Sequence, residues 1–141
     1  MKTFFKLLLL AFISLAGISH AQQSAVKVVY HMNSSDHATA TLRNIQNHLN
    51  ADPKAKIVVV THGAGIDFLL EGGKDTNGNP YDIPVQQLAD DHKVEFRVCK
   101  NTLDSRNLSK KDLLPEATIV PSGVAEVARL QAEEGYAYLK P

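Results

Sequence analysis

The chain has 141 residues, 15 basic and 15 acidic side chains, a formal charge of zero and one cysteine. Balanced charge supplies no basic face, which excludes nucleic acid as an expected partner, and a lone cysteine excludes an internal disulfide. The length suits one domain around one hydrophobic core.

At the amino end, Lys2 and Lys6 bracket Phe4 and Phe5, and Leu7 to Ile18 is almost wholly apolar. Ser19-His20-Ala21 then puts small residues at the last and third-last positions before Gln22. This is the pattern of a cleaved signal peptide, residues 1–21. The apolar run is shorter than the ~20 residues of a membrane span. The sequence therefore predicts a periplasmic or secreted protein, residues 22–141, with no membrane attachment after cleavage. Setting aside Lys2 and Lys6 leaves 13 basic against 15 acidic residues, a formal charge of −2. Exported small domains often use paired cysteines as staples. Without them, stability must come from the core or from assembly, and a leftover cysteine points to a reactive thiol or an intermolecular partner.

Val26 to Met32 is a β-branched run and predicts a first strand. Asn33 to Asp36 supplies turn and N-cap chemistry, and Ala38, Leu42, Ile45 and Leu49 recur at helical spacing through His37 to Leu49. Lys56 to Thr61 is apolar without alternation, as expected of a strand buried on both faces of a parallel sheet. His62-Gly63-Ala64-Gly65 turns the chain into a short helical segment, Ile66 to Leu70. The stretch "EGGKDTNGNPYD" is dense in turn residues and predicts a long loop. A helix over Val85 to Asp91, a strand over Val94 to Val98, short helical pieces over Thr102 to Arg106 and Lys110 to Leu114, and a strand over Ala117 to Val120 follow. Val124, Val127, Ala128 and Leu130 give the apolar face of a last helix, Gly123 to Glu134, stopped by Gly135; Tyr136 to Leu139 is a fifth strand. Five alternations of strand and helix predict an α/β sandwich with a mostly parallel sheet.

In such sheets ligands bind outside the carboxyl ends of the strands. There the sequence places His31, His62, Cys99 and, just beyond the fourth strand, Ser122. Free cysteine is commonly a small core hydrophobe. At Cys99, however, a helix start favours a thiolate, Lys100 adds positive potential, and Asn101, Thr102 and Ser105 offer donors. The reading predicts a thiol pKa below the usual value. At "THGAG" the glycines permit a tight turn, with His62 either capping it or facing a ligand beside the Gly63 and Gly65 amides. The esterase oxyanion reading fails because no G-x-S-x-G elbow exists. Phe68 occupies the glycine position that a dinucleotide fingerprint or a Walker loop requires. Pro80 and Gln86 break the calcium-loop pattern begun by Asp75, Asn77 and Asn79. A soft metal site of His31, His62 and Cys99 has no supporting local spacing, so no metal and no cofactor are expected. His37, His48 and His92 are read as surface residues.

The segments "VEFRVCKNTLDSRNL" and "LLPEATIVPSGVAEVARLQAEEGYAYLKP", with "THGAGIDFLL" and "LRNIQNHL", resemble the DsrE/DsrF-like family, in particular its small stand-alone exported branch. The resemblance spans Val26 to Pro141. It implies a three-layer α/β/α sandwich with a mostly parallel five-stranded sheet, and assembly as a homo-oligomer, trimer or hexamer. In sulfur-relay members a cysteine carries persulfide sulfur between partners, and Cys99 falls at the corresponding strand end. The leading expectation is therefore sulfane-sulfur handling by Cys99, with a sulfur donor or acceptor protein as partner. The competing class is a binding module of the same fold with a structural cysteine. Lys140-Pro141 blunts the last strand as an edge, so subunit contacts are expected on helix or loop faces.

Overall fold

The computed structural model describes residues 24–141. The predicted signal peptide lies outside the described residues. Five strands, β1 (Lys27–Met32), β2 (Lys56–Thr61), β3 (Glu95–Cys99), β4 (Ala117–Val120) and β5 (Ala137–Leu139), form one sheet in the order β4-β3-β2-β1-β5. Every pairing is parallel. The central position of β2 explains its unbroken apolar run: Ile57 to Thr61 is buried on both faces.

Helices α1 (Ala38–Ala51), α2 (Asp82–His92), α3 (Lys100–Ser105) and α4 (Gly123–Glu134) link the strands, with a 3₁₀ segment at Gly63–Leu69 and another at Lys110–Asp112. The larger core sets Val28, Tyr30 and Met32 of β1, Ile57 and Val59 of β2, and Phe96 and Val98 of β3 against α1 and α2. Ala38, Thr41, Leu42, Ile45 and Leu49 form the buried stripe of α1, recurring every three or four residues. On the opposite face α4 packs Val127 and Leu130, with Tyr136, on Val29, Val58 and Val60. Each large side chain buried this way contributes ~1.5–3 kcal/mol. α4 is thus the third layer of the sandwich. It is also pinned by Arg97 of β3, which pairs with Glu126 of α4 and with Glu95.

Several local expectations change. α1 begins at Ala38 with no side-chain cap. Ser35, expected in capping, instead donates to the Ala64 carbonyl at 2.7 Å and accepts from the Phe68 amide at 3.3 Å, fastening the turn after β1 to the segment after β2. α2 starts three residues before the predicted Val85, because Pro84 is tolerated in a first turn. Val124 and Ala128 are exposed. The buried stripe of α4 runs through Gly123, Val127 and Leu130 instead. His48 is half-buried and its Nδ1 meets the Tyr30 hydroxyl at 3.0 Å, so it is not a free surface residue. No described helix is long and apolar enough to cross a membrane.

Candidate functional site

Strand parity decides which side chains meet at the carboxyl edge of the sheet. Val29, Val58 and Val60 face α4. Side chains alternate along a strand, so His31 faces α4 as well. His62 follows β2 with extended backbone (φ −151°, ψ 170°) and keeps the parity of Val60. Arg97 is in register with Val60, and Cys99 lies two residues further on. Tyr138 of β5 is in register with Val29. Four adjacent strands therefore present Tyr138, His31, His62 and Cys99 on one face, in that order across the edge.

Cys99 ends β3 and immediately precedes α3. It is 5% exposed. Gly123, the first residue of α4, closes over it: a Cβ there would lie 3.2 Å from both the Cys99 and the His62 Cβ atoms and 3.1 Å from the Thr61 carbonyl. Two helix starts therefore converge on one sulfur. Burial pushes the thiol up. The Gly123 and Thr102 amides, the Thr102 hydroxyl and the Asn101 amide outweigh it, and the net result lies below the ordinary thiol value. The same Thr102 hydroxyl accepts from the Gly63 amide at 2.9 Å. Cys99 looks onto a shallow pocket of about 270 Å³, shared with His62, Asn101, Thr102, Ser122 and Val124. Ser122 caps α4, its Oγ accepting from the Ala125 amide at 3.4 Å.

His62 caps nothing with its side chain. Its Nε2 lies 2.7 Å from Nε2 of His31, and Nδ1 of His31 lies 2.8 Å from the Tyr138 hydroxyl. The two ring planes are inclined by 29° with centroids 4.9 Å apart, so the imidazoles meet edge to edge through their Nε2 atoms. Burial pushes the His31 imidazole below its ordinary value, and the neighbouring His62 and Lys140 push it the same way. His31 opens on its own crevice of about 250 Å³, with Ser34, His37 and Lys140, at the point where the strand order reverses beside β5.

Two sequence expectations about this site need correction. Lys100 does not drive the thiol down: its ammonium holds Asp104 at 2.6 Å, out in solvent, and the donors on sulfur are amides and a hydroxyl. The Gly63 and Gly65 amides are not free to meet a ligand, being bound to the Thr102 hydroxyl and the His62 carbonyl. Gly65 serves packing, since a Cβ there would lie 2.3 Å from the Met32 carbonyl oxygen. Among the described residues no three His, Cys, Asp or Glu side chains converge as a ligand set. Sequence reasoning missed Tyr138 and, though it named Thr102 as a donor near Cys99, missed the bond from the Gly63 amide to the Thr102 hydroxyl. The Tyr136-x-Tyr138 alternation was a usable signal for Tyr138 only once β5 was known to pair with β1.

Residues 10–141 match the family model described as the DsrE/DsrF-like family. The chain belongs to the DsrE/DsrF-like family. No curated protein matches it. Among solved structures it is similar to MTH1491 of Methanobacterium thermoautotrophicum, a protein of unknown function, with 28% identity and a TM-score of 0.73 over 82% of this chain and 99% of that one. It is also similar in fold to the ychN protein of E. coli, with 16% identity and a TM-score of 0.65 over 84% of this chain and 99% of that one. The all-parallel five-stranded α/β architecture is thus that of DsrE-like structures.

Proposed function

We propose that this DsrE/DsrF-like protein accepts and passes on sulfane sulfur at Cys99, without a separate cofactor. The observation that carries the reading is the meeting of the starts of α3 and α4 at Cys99 beside an open pocket. A thiolate is the attacking form of cysteine, and the amides favour it. In the loading step Cys99 thiolate attacks the terminal sulfur of a persulfide or polysulfide donor. The new bond is Sγ–S, the donor's S–S bond breaks, and its electron pair leaves on the shortened donor, giving Cys99–S–SH. Thiolate attack on an S–S bond needs no metal or outside oxidant.

The low exposure of Cys99 favours one competing reading, a small-ligand or protein binding module in which the cysteine is packing. Intact mass before and after inorganic polysulfide separates the two. A gain of one sulfur that is absent in Cys99→Ser supports sulfur handling. A thiol that neither loads nor alkylates until the protein unfolds supports the packing role.

Two further proposals complete the picture. The protein acts in the periplasm or outside the cell, with Gln22 as its mature start, which N-terminal sequencing of the exported fraction checks. It assembles as a trimer or hexamer through helix or loop faces, which shields the thiol. A monomer at tens of micromolar in light scattering would contradict this.

A further inference from the structure

Resting on the sulfane-sulfur reading, we propose that Tyr138, His31 and His62 form a proton-conducting chain, with His62 as the base that deprotonates the thiol receiving sulfur from Cys99. His31 and Tyr138 are positioning residues that act through His62.

The geometry fixes how protons sit. Two neutral imidazoles with Nε2 atoms 2.7 Å apart require one Nε2–H donor and one bare acceptor. The bond from His31 Nδ1 to the Tyr138 hydroxyl then leaves two coherent arrangements. In one, Tyr138 donates to His31 Nδ1, His31 Nε2–H donates to His62, and His62 carries its remaining proton on Nδ1. In the other, His62 Nε2–H donates to His31, His31 Nδ1–H donates to the Tyr138 oxygen, and His62 Nδ1 is bare. The second arrangement becomes the first when one proton enters at His62 Nδ1 and the Tyr138 hydroxyl releases its own to water. His62 lines the cysteine pocket, while Tyr138 is 40% exposed at the far end. A proton taken up in the pocket therefore has a hydrogen-bonded exit that does not pass the sulfur.

This exit matches what sulfur delivery requires. An acceptor thiol R–SH entering the pocket must lose its proton before it attacks. His62 Nδ1 takes it, and R–S⁻ attacks the outer sulfur of Cys99–S–SH. The R–S bond to that sulfur forms and the Sγ–S bond breaks. The electron pair returns to Sγ as the amide-held thiolate, and the product leaves as R–S–SH. Sulfur, charge and proton balance, and the proton resides on the chain until Tyr138 passes one to water. The charged or titratable groups around the chain are few. Cys99 faces it from β3, Lys140 from beyond β5 and His37 from ahead of α1. Lys100 is paired with Asp104, and Arg97 and Glu126 are paired with each other lower on the same face. Burial, His62 and Lys140 all disfavour a charge on His31. One excess proton on the pair leaves a single shared Nε2–H and fills Nδ1 of both rings, so in acid His62 has no bare nitrogen to take the proton of an entering thiol.

The test loads the purified protein with inorganic polysulfide, then follows sulfur transfer to glutathione by rapid-quench intact mass across pH. His31→Gln and Tyr138→Phe are expected to load like the parent, and His62→Gln is compared with the parent from its loaded form. His62→Gln should transfer about a hundredfold more slowly at neutral pH, within the range of general-base catalysis. It should also lose the acidic limb of the parent's rate profile. His31→Gln should slow transfer less and shift that limb, and Tyr138→Phe should slow it severalfold. Added imidazole should restore rate to a His62→Gly variant. If all variants load and transfer with the parent's rate and pH profile, the relay is wrong while the sulfur-carrier reading stands. If the parent does not load, both fall. Should His62→Gln fail to fold, the His31→Gln and Tyr138→Phe profiles still decide, and an unshifted limb in both overturns the relay.

Discussion

Thr102 is the residue on which the chemistry of Cys99 is most sharply exposed to experiment. Its hydroxyl accepts from the Gly63 amide and is one of the polar groups that pull the Cys99 thiol down, and the residue is 9% exposed. Thr102→Val keeps the shape and removes the hydroxyl alone. Two effects follow. The Gly63 amide and the sulfur each lose a partner, which costs about 1–2 kcal/mol of folding stability. The thiolate loses more than the thiol does, because hydrogen bonds to charged groups are worth ~1.5–3 kcal/mol against ~0.5–1.5 for neutral ones. A difference of about 1 kcal/mol lowers the thiolate fraction roughly fivefold at a fixed pH below the thiol pKa. The assay is the second-order rate of iodoacetamide alkylation as a function of pH, beside urea unfolding of the same samples. Lys100→Gln is the internal control. Its ammonium is committed to Asp104 in solvent, so that variant should alkylate like the parent at every pH. A Thr102→Val protein that loses stability but keeps the parent's alkylation profile would assign the hydroxyl to Gly63 alone. A Lys100→Gln profile displaced as far as that of Thr102→Val would refute the argument that amides and a hydroxyl, rather than a neighbouring cation, set the thiol.

Gly65→Ala should be among the most destabilising single changes, at about 3 kcal/mol or more, because its Cβ would lie 2.3 Å from a backbone oxygen that cannot swing away. Urea denaturation measures it. Hydrogen bonds from Arg129 chiefly, and from Arg97, hold the Glu126 carboxyl below the usual carboxylate range against the opposing effect of burial. Its contribution is therefore full above the ordinary carboxylate pKa and disappears as pH falls through the depressed folded value. Glu126→Gln should cost about 2 kcal/mol at pH 7, and the two stability curves should converge in strong acid.

How much of this was legible in the sequence follows from the range of the interactions. The strands and most helices read correctly because apolar runs and three-to-four spacing are local, and β2 could be placed inside a sheet because both its faces are apolar. The carboxyl ends of β1, β2 and β3 were also legible, so His31, His62 and Cys99 could be grouped as an edge. The errors are all tertiary. Ser35 carries ordinary capping chemistry, and only the approach of Phe68 diverts it. Lys100 looks like a neighbour to the thiol because it is next in sequence, yet the helical turn carries it to Asp104 four residues on. Val124 fits the apolar pattern of α4 but falls where the helix overhangs the pocket instead of the sheet. Tyr138 could not be assigned, since nothing local says that the last strand pairs with the first.

The position of α4 links these observations. Strands β1 to β4 step in one direction across the sheet, and the helices between them cover one face. To reach the far side of β1, the chain must return over the other face, and α4 is that return. Its starting point is fixed by β4, whose end lies in register with Cys99. The first amide of α4 is therefore brought beside Cys99 by the topology itself, and glycine eases the approach, since a Cβ there would crowd Thr61, Cys99 and His62 at 3.1–3.2 Å. The other end of the same crossover is β5, which brings Tyr138 against His31. One chain reversal thus supplies an amide at the thiol and the hydroxyl at the outer end of the histidine pair. In a sheet ending at β4, Cys99 would lack its Gly123 donor and His31 its Tyr138 partner.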